Sequence, residues 1–189
     1  MLRIISGIRK GALIAEVDRR HTRPTTDKNK EMLFNILGQY FDGGNCLDLF
    51  AGSGSLGLEA LSRGFSACTF VDNNPTATAT IRKNLDKLRF PDEIKAAVIL
   101  DDVFSYLGSV KANFFDLIMA DPPYLFQDHE RLLRVIIDNG LIAGNGLTVI
   151  ETSRKKELPE QLGELFLFKD KISGLSRFWF YSFVSNPID

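Results

Sequence analysis

Apolar positions along the chain follow two periods, and the change between them falls near residue 45. Before it, Met32, Leu33, Ile36, Leu37 and Tyr40 recur at helical spacing, which predicts an amphipathic helix over 25–41 stopped by Gly43-Gly44. After it, short apolar runs alternate with helical stretches. Strands are predicted over 46–51, 67–71, 96–100, 114–120 and 147–151, and helices over 55–63 and 130–137. A further helix should follow Asn73-Asn74-Pro75, where either Asn can cap, Pro75 suits the first turn, and Ala77, Ile81, Leu85 and Leu88 share one face. Two last runs, 166–169 and 178–184, read as an antiparallel pair. The alternation predicts an α/β, Rossmann-like fold: a mostly parallel, doubly wound sheet with helices on both faces and a terminal antiparallel β-pair. Ligands of such sheets bind at the carboxyl ends of the strands, so chemistry is expected just after residues 51, 71, 100 and 120.

Unusual residues stand at those four points. At the first, Gly52, Gly54 and Gly57 form a G-x-G-x-x-G. Glycine lets the backbone turn sharply and approach a ligand, and the helix that follows offers unpaired N–H groups. The same glycines would also serve a tight turn with no ligand. At the second, Asp72 can accept both hydroxyl protons of a ribose, or cap a helix. At the third, Asp101 or Asp102 can accept from an adenine amine while the Val103 N–H reaches a ring nitrogen; a strand-end turn or helix cap is the other reading. Three acids in this order fit a nucleoside lying across the sheet, a part common to nicotinamide dinucleotides and S-adenosylmethionine. The fourth point is Asp121-Pro122-Pro123-Tyr124. Two prolines cannot continue a sheet, so the Pro122 carbonyl lacks a regular partner. With the Asp121 carboxylate it can take both N–H bonds of an exocyclic amine, and Tyr124 can stack on the ring that bears the amine. The alternative is a proline-stiffened loop around a buried tyrosine.

Composition narrows the setting. A chain of 189 residues, 44% apolar and 11% aromatic, supports one self-sufficient core and excludes disorder, repeats and two large domains. No uncharged stretch exceeds about a dozen residues, against the roughly 18 needed to span a bilayer, and the first eleven residues lack a continuous apolar signal region. A soluble, cytoplasmic protein is expected. Cys46 and Cys68 open two strands and are expected as buried thiols, while His21 and His129 lie too far apart for a paired metal motif, so no metal is assigned. Charge is uneven: residues 1–30 hold eight Lys/Arg against three acids, in a chain whose net charge is −1. This divides the chain into a basic arm over 1–24 and a domain over 25–189, the arm being expected to meet phosphate through Arg3, Arg9, Lys10, Arg19, Arg20 and Arg23.

The motif order D-x-F-x-G-S-G, D, D, D-P-P-Y is similar to that of S-adenosylmethionine-dependent amino methyltransferases. The flanks Arg3-Ile4-Ile5-Ser6-Gly7, Thr22-Arg23-Pro24-Thr25-Thr26-Asp27, Leu33-Phe34-Asn35 and Leu58-Glu59-Ala60-Leu61-Ser62-Arg63-Gly64 resemble the RsmD family. The likeness runs from Arg3 through Tyr124 and weakens to a pattern near Phe178 to Tyr181. It implies a class I methyltransferase fold and transfer of the methyl group of S-adenosylmethionine to the N2 amine of a guanine, position 966, of small-subunit (16S) ribosomal RNA. It further implies a substrate that is free RNA or an assembling small subunit, and a monomer without membrane or metal. By the same resemblance Asp48, Phe50, Gly52 and Gly54 fall at the methionine end of the cofactor, Asp72 and Asn73 at the ribose, Asp102 and Val103 at the adenine, Asp121, Pro122, Pro123 and Tyr124 at the guanine, and Arg3, Arg9, Lys10 and Arg23 at the RNA. After Thr26-Asp27 the family commonly has Arg-Glu where this chain has Lys28, Asn29, Lys30 and Glu31, so Lys30 is expected to stand in as a point charge. Three other readings stay open. A nicotinamide-dependent oxidoreductase leaves D-P-P-Y without work, and a DNA or RNA adenine-N6 methyltransferase shares that motif but usually needs a separate target-recognition region. A non-catalytic RNA-binding module would use the arm alone.

Overall fold

The computed structural model describes residues 2–17, 27–110 and 115–184. A two-stranded ladder, β1 (Leu2–Arg3) with β2 (Leu13–Ile14), precedes α1 (Asp27–Leu37). There follow β3 (Asn45–Leu49), α2 (Ser55–Ser62), β4 (Ala67–Asp72), α3 (Pro75–Leu88), β5 (Lys95–Leu100), α4 (Val103–Ser109), β6 (Phe115–Ala120), α5 (His129–Asp138), β7 (Ile142–Ser153), β8 (Gln161–Leu162), β9 (Leu165–Ser173) and β10 (Ser176–Ser182). The main sheet has the order β5-β4-β3-β6-β7-β10-β9-β8, parallel from β5 to β7 and antiparallel beyond. After β5 the chain returns to the far side of β3. The strand order therefore reverses between β3 and β6, where such sheets open a ligand crevice at their carboxyl ends.

Alternation along the strands sorts the core into two layers. Cys46, Leu117, Met119, Phe178 and Phe180 pack under α1, α2 and α3, while Leu47, Leu49, Ile118, Ala120, Trp179 and Tyr181 pack under α4 and α5. Cys46 and Cys68 are buried free thiols, level with each other in the parallel ladder. Leu2, Ile4 and Ile14 belong to the same core as α2. Beneath them Glu59, fully buried, accepts the N–H groups of Ile5 (2.7 Å) and Ser6 (3.0 Å) and the Arg63 Nε–H (2.8 Å), with the Lys30 ammonium 3.8 Å away.

Three expectations shift. The first helix ends at Leu37, not 41, because Gly38 adopts φ 125° and turns the chain so that Phe41 packs on Phe34 and Phe65, leaving Tyr40 exposed. The helix-cap reading of Asp102 is the one observed, and the short helix α4 that it caps is an element the periodicity did not predict. Strand β7 runs well beyond 147–151 because it is paired on both edges, with β6 and β10. Residues 25, 26 and 114, at the ends of two predicted elements, lie outside the described residues. Among the described residues no helix is long and apolar enough to cross a membrane.

Candidate active site

Beyond β3 the backbone bends back on itself, with φ 57° at Phe50, 57° at Gly52 and 76° at Gly54. A positive φ at a phenylalanine is uncommon and is a form of strain found at ligand sites. Asp72 latches this loop to the end of β4: its Oδ2 accepts the Gly52 N–H (2.8 Å) and its Oδ1 the Asn74 N–H (2.9 Å). Asp48 is buried and accepts the Gly57 N–H (2.9 Å), which sets a carboxylate at the first turn of α2. A Cβ on Gly57 would lie 2.3 Å from the Phe70 ring and 2.6 Å from Cys68 Sγ, so the third glycine of the motif lets α2 lie close on the sheet. Asn74, not Asn73, caps α3 by accepting the Thr76 N–H, and Asn73 is exposed beside it. Asp102 uses Oδ1 to accept the Phe104 and Ser105 N–H groups, and Val103 is buried at the start of that helix.

Asp48, Phe50, Ser53, Ser55 and Asp121 line a cleft of about 40 Å³ between β3 and β6, with Glu16 of the amino-terminal segment at its edge. Ser55 Oγ, at the first turn of α2, is buried with no hydrogen-bond partner. Carboxylates on one side and a helix N-terminus with an unpaired hydroxyl on the other suit a zwitterionic amino-acid tail, and Asp72 at the next strand end suits a ribose. By donor chemistry the residues present thus fit the amino-acid and ribose ends of S-adenosylmethionine, although the cleft itself holds no more than a water or two.

A second cavity, about 410 Å³, opens on the other side of Asp121. Its walls are the Asp121-Pro122-Pro123-Tyr124 turn, Phe126 ahead of α5 and His129 at its start, Glu151 to Ser153 at the end of β7, Lys155 and Lys156, and Leu175 just before β10 and Ser176 at its start. The turn closes through the Pro123 carbonyl, which accepts the Phe126 N–H (2.8 Å). Tyr124 is 73% exposed, so the loop does not wrap a buried tyrosine. Behind it Phe126 meets Phe50 edge-on at 5.1 Å and His129 at 4.9 Å, which ties this turn to the glycine loop. Burial and the nearby Lys156 hold His129 below the usual histidine range.

Glu151 went unremarked in the sequence, where it is one acid ending an apolar run. It follows Ile150, which is level with Ala120 in the β6–β7 ladder, so Glu151 and Asp121 are neighbours on adjacent strands. Its Oε2 is buried without a partner. Burial first, then the charge of Asp121, push the Glu151 carboxyl up from 4.5 to about 8. A fifth strand end was the signal that could have found it.

The basic residues separate. Arg3 is exposed and pairs with Asp27 (2.7 Å), and Lys10 is exposed. Arg9, expected to meet phosphate, instead donates to the carbonyls of Leu88 and Arg89 at the end of α3 and lies over Phe90. Lys30, expected to stand in for a family arginine as a point charge, is fully buried and donates to the Arg3 carbonyl, and burial lowers its pKa. Arg19, Arg20 and Arg23 lie outside the described residues. No group of three or more potential metal ligands is found among the described residues.

The family model described as conserved hypothetical protein 95 matches residues 2–182. The "Putative rRNA methyltransferase YlbH" of Bacillus subtilis is 43% identical, with 93% of this chain and 95% of that protein covered. The ribosomal RNA small subunit methyltransferase D of Haemophilus influenzae is 36% identical over 95% of this chain and 93% of its own length. Among solved structures, the "Putative methyltransferase yhhF" of Escherichia coli superposes with a TM-score of 0.80 at 31% identity, covering 95% of this chain and 96% of that one.

Proposed function

The chain belongs to the conserved hypothetical protein 95 family, the RsmD family of rRNA methyltransferases, and on that premise we propose that it methylates the exocyclic N2 amine of a guanine in small-subunit ribosomal RNA. One observation carries the reading: Asp121 lines both the cleft beside the glycine loop and the larger cavity, so methyl donor and amine would meet at this residue. S-adenosylmethionine, when bound, supplies an electrophilic methyl group on a sulfonium. Asp48, Phe50, Gly52 and Gly54 would hold its amino-acid end, Asp72 and Asn73 its ribose, and Asp102 and Val103 its adenine.

The amine lone pair of guanine is delocalised into the ring and is a poor nucleophile. The Asp121 carboxylate and the Pro122 carbonyl hold its two N–H bonds and draw the nitrogen toward a tetrahedral shape. Because the nitrogen becomes cationic as it attacks, these acceptors bind the transition state better than the ground state. A target base must leave its stack to enter the cavity, at a cost of a few kcal/mol, and the exposed Tyr124 offsets part of this by stacking. Lys155 and Lys156 at the cavity rim, with Arg3 and Lys10 on the amino-terminal arm, supply attraction for the phosphate chain. A ribosomal RNA substrate sets this work in the cytoplasm.

The test is to treat small-subunit RNA and small-subunit particles with labelled S-adenosylmethionine and identify the product nucleoside by mass spectrometry. N2-methylguanosine is expected. N6-methyladenosine as the labelled product would replace this reading with the adenine one.

A further inference from the structure

We infer that Glu151 is the residue by which the cavity selects guanine: its carboxyl group takes the ring N1–H that lies beside the exocyclic amine. The inference rests on the guanine reading proposed above and adds the group that reads the rest of the base.

Three features converge on it. Glu151 follows Ile150 as Asp121 follows Ala120, the last pair level in the β6–β7 ladder, and both line the larger cavity. If the amine is held by Asp121 and Pro122, the next position along the edge of the base falls toward the next strand, where Glu151 is. The second feature is the buried Oε2 with no partner. A buried carboxyl oxygen left unpaired is costly, and a donor arriving with the ligand would remove that cost. Third, the chemistry of the bases is asymmetric. Guanine carries N1–H and then O6 next to its amine, whereas adenine and cytosine carry a ring nitrogen with a lone pair.

The proton on Glu151 suits the same base. Burial and the adjacent Asp121 favour the neutral acid near pH 7, which avoids two neighbouring charges. A neutral acid accepts N1–H with one oxygen and donates to O6 with the other, while the Ser176 hydroxyl that also bonds this carboxyl uses a remaining lone pair. On adenine its hydroxyl could reach N1, but the second oxygen would face a C–H; adenine offers one bond where guanine offers two.

The experiment compares single-turnover methylation of two RNAs, one with guanine and one with 2-aminopurine at the target position. 2-Aminopurine keeps the amine but lacks N1–H and O6. The wild-type protein should methylate it about a hundredfold or more slowly than guanine, because two hydrogen bonds of the site are left unmade. In Glu151→Ala the guanine rate should fall by about that factor while the 2-aminopurine rate barely moves, so the preference collapses. Glu151→Gln, which keeps one acceptor and one donor in the same shape, should retain most of the preference and also serves if the alanine variant does not fold. Equal losses on both RNAs in Glu151→Ala would make Glu151 merely structural and overturn the inference, as would a wild-type preference below about threefold, less than one lost buried hydrogen bond costs. If the wild-type product is not N2-methylguanosine, the function proposed above fails first, an outcome the product analysis distinguishes from a lost base preference.

Discussion

Asp121 and Glu151 carry the same functional group in different surroundings, and the tasks proposed for them differ accordingly. Asp121 sits at the junction of the two cavities, and Asp121→Ala should slow methyl transfer by about a hundredfold or more with little change in cofactor affinity. Single-turnover rates together with calorimetry of S-adenosylmethionine binding check this, and a near-wild-type rate would remove Asp121 from the chemistry. Glu151 lies where burial disfavours its charge, so the folded protein holds its proton more tightly than the unfolded chain does. Below pH 4.5 both states are protonated and no penalty exists. As pH rises toward about 8 the unfolded chain ionises first, and wild-type stability falls, the loss being complete above that value. Glu151→Gln lacks this penalty. Its stability advantage should grow across this window and level off at an order of 1 to 3 kcal/mol. Urea denaturation at pH 5, 7 and 9 measures it; a difference that did not change with pH would mean Glu151 is charged in the folded state.

At the level of elements, the strand ends were legible because each is marked by residues the sheet cannot use: glycines after β3, an acid at the end of β4, an acid after β5, prolines after β6. Their internal division of labour was not. Gly52 and Gly54 shape the loop, but Gly57 exists for packing, since a methyl group there would strike Phe70 and Cys68 on β4. Gly57→Ala should therefore destabilise the fold by about 1 to 3 kcal/mol through overpacking. Phe70→Leu in the same chain should recover part of that loss, as measured by thermal unfolding, and no recovery would mean that Phe70 is not the obstacle. Helix α4 escaped the sequence reading because its seven residues are too short for a clear apolar period, and Asp102 can cap a helix or face a ligand with the same carboxylate.

At the scale of the whole molecule, the described part of the amino-terminal segment, residues 2–17, is packed onto the domain. Ile4 and Ile14 are in the core, and Glu59 binds the backbone of Ile5 and Ser6 from beneath. Arg9 is spent on the carbonyls that end α3, where a cation is favourable. Replacing Arg9 by Gln should lower stability and leave the salt dependence of RNA binding nearly unchanged. Lys155 and Lys156, at the rim of the larger cavity, are the better placed cations. Neutralising both should flatten the slope of log affinity against log salt by about 1.4 to 1.8. Filter binding over a range of salt concentrations decides; an unchanged slope would put the phosphate track elsewhere.

The sequence by itself determined the alternation of strands and helices, the parallel sheet and the four strand-end motifs, because period and turn chemistry are local properties that neighbours in the chain impose. Only the tertiary structure decided which charges are available. Lys30, Glu59, Arg9 and Arg3 are all charged side chains that the sequence pattern cannot place, yet the fold buries the first two together, ties the third to a helix end and leaves the fourth exposed beside Asp27. The nearness of Glu151 to Asp121 became visible only when β7 was laid beside β6, because about thirty residues of sequence separate them while the Ala120–Ile150 register brings the two strand ends together.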